Sequence, residues 1–94
     1  MTDRSPSHYE EVQGRVRGLL ITLAPQLPAV TVGIVDEMID SNESGVALEI
    51  MSEMLVESGA IISEQTLSDV ASLVNDMGLD RLNVDRLRSL VEAP

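Results

Sequence analysis

Val46-Ala47-Leu48-Glu49-Ile50-Met51-Ser52-Glu53-Met54-Leu55-Val56-Glu57-Ser58-Gly59 is the stretch that decides the fold of this chain. Ala47, Ile50, Met51, Met54 and Leu55 recur at i, i+3, i+4, i+7 and i+8, the spacing that gathers side chains on one side of a helix. Gly59 follows the last periodic residues, where a left-handed terminating residue is favoured. The stretch predicts a helix from about Val46 to Ser58 with an apolar inner stripe.

Working outward, Ser41-Asn42-Glu43-Ser44-Gly45 is a turn cluster. Before it, Val32, Ile34, Val35, Met38 and Ile39 predict a helix from after Pro28 to about Ser41. Further upstream, Val12, Val16, Leu19, Leu20 and Leu23 mark a helix from His8 to Leu23, ended by Pro25 and Pro28. Gly14 and Gly18 weaken it by about 1 kcal/mol each relative to Ala. Downstream, Ala60-Ile61-Ile62 reads as a short extended piece leading to Ser63, an N-cap with Glu64 in the first turn. Leu67, Val70, Ala71, Val74 and Met77 make a fourth helix, closed by Gly78, and Val84, Leu87, Leu90 and Val91 a short last one. No alternating stretch is long enough to argue for a sheet. The expected fold is all-α, a compact bundle of four to five short helices. Residues 1–7 are expected to be a flexible N-terminal tail and residues 8–94 a single helical domain, without internal repeats.

The composition excludes several kinds of chemistry. Ninety-four residues without Cys hold no disulfide, thiolate metal site or cysteine nucleophile. With no Trp, no Phe and only Tyr9, the chain lacks stacking platforms for single-stranded nucleic acid. Sixteen acids against six bases give a net charge of −10, which opposes phosphate contact, so no direct nucleic-acid binding is expected. The segment Met1 to Glu11 has no apolar signal core, and no apolar run is long enough to span a membrane. No membrane association is expected, and the expected location is the cytoplasm.

The charges are unevenly placed. No Lys or Arg occurs from Gly18 to Asp80, where eleven Asp and Glu stand; the arginines are Arg4, Arg15, Arg17, Arg81, Arg86 and Arg88. Glu49, Glu53 and Glu57 follow at i, i+4 and i+8 on one side of the third helix, a like-charge spacing that costs a few tenths of a kcal/mol per pair. Val56 lies beside them and provides an apolar centre. A solvated helix face is the plain reading of that stripe. A surface for a basic partner, with electrostatic steering of its approach, is the functional one.

Other constellations carry less. Asp40-Ser41-Asn42-Glu43-Ser44-Gly45 matches the start of a calcium loop, but its final ligand position holds Met51, which cannot ligate calcium. Asp36 and Asp40 share a helix face, yet no Glu-x-x-His pairs accompany them as a di-metal bundle requires. His8 is the only imidazole, and neither a nucleophile elbow nor a phosphate loop is present. No catalytic residue, cofactor or metal is expected, and the protein is not expected to be an enzyme.

Glu43-Ser44-Gly45-Val46-Ala47-Leu48-Glu49-Ile50, the Met54-Leu55 pair, Ile61-Ile62-Ser63 and Met77-Gly78-Leu79-Asp80 resemble the MafI family of bacterial immunity proteins. The resemblance runs from about Ile34 to Asp80, half of the chain. Val56-Glu57-Ser58 and Leu82-Asn83-Val84 stand where that family often carries aromatic residues. The resemblance implies a protein that binds a cognate secreted polymorphic toxin in the producing cell and blocks its active site or substrate channel. Many such toxins are nucleases with basic clefts. Charge and spacing, not the family, nominate the toxin-binding residues: Asp36, Asp40, Glu43, Glu49, Glu53, Val56 and Glu57. The free protein is expected as a monomer or homodimer.

Two rival readings share the size, charge and helix count. A carrier protein would bear phosphopantetheine on a serine at a helix start, but Ser41 precedes Asn42 and Ser44 precedes Gly45, where an apolar residue is wanted. A helical interaction module with a different partner is the other.

Overall fold

A computed structural model describes residues 5–80 and 82–91. Helix α1 (Ser5–Leu23) begins at a Ser-Pro pair, where proline's fixed φ suits a first turn and its missing N–H goes unneeded. The flexible tail expected over residues 1–7 is therefore shortened: residues 5–7 belong to α1, and residues 1–4 lie outside the described residues. The side chain of His8 lies outside them as well. Helix α1 ends at Leu23 as expected from Pro25, and a 3-10 turn, Ala24–Gln26, follows it.

Pro28 flanks the start of α2 (Ala29–Asp40), which is joined to α3 (Ser44–Ser58) by Ser41, Asn42 and Glu43 alone. So short a connection makes the two helices antiparallel neighbours. Asn42 takes a left-handed conformation, φ 64°, in that turn, a conformation Asn tolerates better than most residues. Helix α3 starts two residues before the expected Val46. Gly59 and Gly78 terminate α3 and α4 (Glu64–Met77) at φ 66° and 65°, as their positions in the sequence predict. Ser63 caps α4, its Oγ accepting from the Thr66 amide at 3.0 Å. Asn83 likewise caps α5 (Val84–Arg88), accepting from the Asp85 amide at 2.9 Å. Leu90 and Val91 fall beyond α5, which is shorter than the periodicity suggests. Val91 instead forms a parallel bridge with Ile62, whose amide donates to the Leu90 carbonyl at 3.1 Å.

The all-α bundle is as expected. Its core joins Val16, Leu20 and Leu23 of α1, Val35 and Ile39 of α2, Leu48, Met51 and Leu55 of α3, Val70 and Leu73 of α4, and Leu87 of α5. A radius of gyration of 13.2 Å is that of one packed body of this length. The inner stripe of α3 is broader than its periodicity indicates. Ala47, Met51 and Leu55 are buried as expected, Leu48 and Ser52 join them, and Ile50 and Met54 are only partly covered. The reason is that α3 touches α1, α2 and α5 at once. No described helix is long and apolar enough to cross a membrane.

Gly14 and Gly18 are interior to α1, yet a Cβ at either position would meet no atom within 4 Å. Gly14→Ala should therefore stabilise the fold by about 0.5–1 kcal/mol in urea unfolding. Gly59→Ala, at a left-handed position, should destabilise it by about 1–2 kcal/mol in the same experiment.

Candidate partner-binding surface

The acids nominated from the sequence divide into groups once the helices pack. Asp36 and Asp40, one turn apart on α2, are both taken by Arg17 of α1. Its Nη1 donates to Asp36 in a short contact, and its Nη2 donates to Asp40 Oδ1 at 2.6 Å. These hydrogen bonds, to Asp40 first and Asp36 second, raise the pKa of the Arg17 guanidinium above its ordinary value, with desolvation opposing. A neighbouring bond reinforces the α1–α2 contact, the Gln13 amide donating to the Ile39 carbonyl at 2.7 Å. The Asp36–Asp40 pair thus fastens α1 to α2, and an incoming cation must compete with a guanidinium already in place. Arg15 makes the matching link to α4, through Asp76 at 2.9 Å and the Ser72 hydroxyl at 2.9 Å.

Glu49, Glu53 and Val56 do come together. They form one wall of an open groove of about 300 Å³ between α3 and the segment carrying α5. Ile50 and Ser52 continue that wall, and Leu82, Asn83, Arg86 and Leu87 face them. Local sequence explains the placement: the i, i+4 spacing puts Glu49 and Glu53 on one side of α3, and the Asn83 cap aims α5 across it. Helix α3 carries no base of its own, but Arg86 of α5 reaches Glu53 at 3.4 Å and offsets part of the stripe. Arg86, Asn83 and Leu82 were not among the nominated residues. Their sequence signals were a cap and a lone base, and neither reveals which helix lies opposite.

Glu43 and Glu57 stand apart from this groove. Glu43 is exposed at the start of α3 and Glu57 exposed in its last turn. Neither these two nor Glu49 forms an ion pair among the described residues. The groove therefore presents one uncompensated carboxylate, one partly compensated carboxylate and an apolar floor. Such a site suits a guanidinium or ammonium whose aliphatic stem lies on Val56 and Ile50.

Two further sequence features change meaning in the fold. Because α2 ends at Asp40 and α3 starts at Ser44, the segment from Asp40 to Gly45 is two helix ends joined by a three-residue connection and not a calcium loop. Among the described residues no group of three or more His, Asp or Glu side chains could hold a metal ion. Ser44 is only 6 % exposed, and its hydroxyl is buried without a hydrogen-bond partner.

Arg17→Gln should lower the melting temperature at low ionic strength, by an amount that shrinks in high salt as the freed Asp36–Asp40 repulsion is screened. An equal loss at both ionic strengths would instead assign the role of Arg17 to packing of its stem. Comparison of the chain with protein-family models, with curated proteins and with solved structures finds no match.

Proposed function

We propose that this protein is an immunity protein: a stoichiometric inhibitor that binds a cognate secreted polymorphic toxin and covers the toxin's basic surface with an acidic helical face. The observation that carries the reading is the groove beside α3, where Glu49 and Glu53 stand over the apolar Val56 and Ile50. A nuclease toxin must display Lys and Arg to hold phosphates, and those side chains match such a groove in charge and in stem. The mechanism is occupancy. Carboxylates of α3 take the positions that substrate phosphates would take, while the packed bundle behind them keeps the blocking surface rigid. Steering by the net charge of −10 speeds encounter. Apolar contacts at the centre of the groove set the lifetime of the complex. The inhibitor acts in the cytoplasm of the producing cell and undergoes no turnover itself.

The carrier reading is less well supported. Phosphopantetheinylation needs an accessible serine hydroxyl, and Ser44, the serine at the helix start, is buried. Ser41 is exposed, but it lies in the turn and precedes Asn42.

The test is a titration of a candidate nuclease-toxin domain with this protein, following binding and nuclease activity together at low and high salt. Tight one-to-one binding that abolishes activity, with association slowed by salt, is the expected result. Changing Glu49, Glu53 and Glu57 together to Gln should slow association by about tenfold at low salt and flatten its salt dependence. Unaltered kinetics in that variant would move the interface off α3. Absence of any binding by the unaltered protein would remove the immunity reading.

A further inference from the structure

The groove beside α5 leaves another surface of the α2–α3 pair unexplained. Val30, Ile34 and Met38 repeat at i, i+4 and i+8 on α2, and Val46, Ile50 and Met54 repeat at the same spacing on α3. The packing fixes where these two rows lie. Helix α1 holds the opposite side of α2 through Arg17, Asp36 and Asp40, and α5 holds the far flank of α3 through Arg86 and Glu53. Two antiparallel helices flanked in this way present the remaining rows to each other along an outer seam. The seam is open to solvent: Val30 is 70 % exposed, Ile34 44 % and Val46 39 %. Met38, Ile50 and Met54 rest against the core with part of each side chain uncovered.

Carboxylates border the seam on both sides. Glu37 is exposed on α2, Glu57 is exposed on α3, and Glu43 is exposed at the turn. Glu37, Glu43 and Glu57 have no ion-pair partner among the described residues. A second copy of this chain fits poorly, because its own carboxylate borders would meet these. A bare apolar ligand would leave the carboxylates unused.

We propose that the α2–α3 seam is the dock for a basic amphipathic helix of the partner protein, laid with its apolar stripe between the two rows and its Lys or Arg residues against both borders. This inference rests on the reading of α3 as a toxin-binding element, and it specifies the form of what binds. Helix-in-groove recognition uses anchors at the spacing these rows offer. The methionines add an adaptable floor, since an unbranched thioether can repack around different anchors.

The probe is a synthetic peptide of about 18 residues with Leu along one helical stripe, Lys on both sides of it and a single Trp within it. The control has the same composition in an order that forms no stripe. The protein has no Trp, so Trp emission comes from the peptide alone. Expected are one-to-one binding, blue-shifted emission and a gain of peptide helix in circular dichroism. Val30→Asp and Ile34→Asp, at exposed positions and with the fold checked by circular dichroism, should each weaken binding by about tenfold or more. Ile21→Ser, exposed on α1 and outside both surfaces, should leave peptide affinity unchanged. Equal binding of the control peptide, or indifference to both Asp variants, would overturn the proposal. So would self-association of the free protein that Ile34→Asp abolishes, since the occupant would then be a second copy. Toxin binding that survives both Asp variants would remove the seam and spare the immunity reading. Peptide binding without toxin binding would do the reverse.

Discussion

Positive charge reaches the middle of this molecule only from its flanking segments. Between Gly18 and Asp80 the chain has no Lys or Arg, so α2, α3 and α4 assemble with their carboxylates uncompensated unless arginines from elsewhere are folded onto them. Arg15 and Arg17 do this from α1, and Arg86 does it from α5. Each lands on a different helix: Arg15 on α4, Arg17 on α2 and Arg86 on α3. The ion pairs are largely exposed, and individually such pairs contribute little to stability. Their importance is geometric, because together they determine which carboxylates are spent within the bundle and which remain for a partner.

That division gives the acidic surface its pattern. Asp36, Asp40 and Asp76 serve internal contacts, while Glu37, Glu43, Glu49 and Glu57 have no ion-pair partner among the described residues. The open carboxylates border apolar side chains of α3: Val56 and Ile50 in the groove beside α5, and the exposed Val46. Long-range attraction and short-range apolar contact therefore fall on the same helix. For the proposed inhibitor that coincidence would let steering deliver the partner to where contact is made.

Features settled within one turn of chain were legible in the sequence. Ser63 as a cap, Gly59 and Gly78 as terminators, and the helical periods of the first four helices depend on neighbours a few residues away, and each appears where expected, whereas α5 stops short of Leu90 and Val91. The burial of Leu48 and Ser52 was not legible, because it depends on α1 and α5 arriving on sides of α3 that its own period does not reveal. The same holds for the site. Spacing correctly placed Glu49, Glu53 and Val56 on one wall, but the opposing wall of Leu82, Asn83 and Arg86 lies some thirty residues further along the chain. No local signal links Arg17 to Asp36 and Asp40 either, so two acids that look available in the sequence are engaged in the fold.

The bridge between Ile62 and Val91 bears on how the groove comes into being. It stitches the segment after α5 to the connection between α3 and α4, and the Gln26 side chain grips the same connection through both the amide and the carbonyl of Ile61. During synthesis, α3 leaves the ribosome well before the residues that form the facing wall. Until those residues emerge and are stitched down, Glu53 lacks Arg86 and the wall of α3 stands bare. Without those residues this face is more acidic and less shaped, so the groove is complete only once the segment carrying α5 is in place.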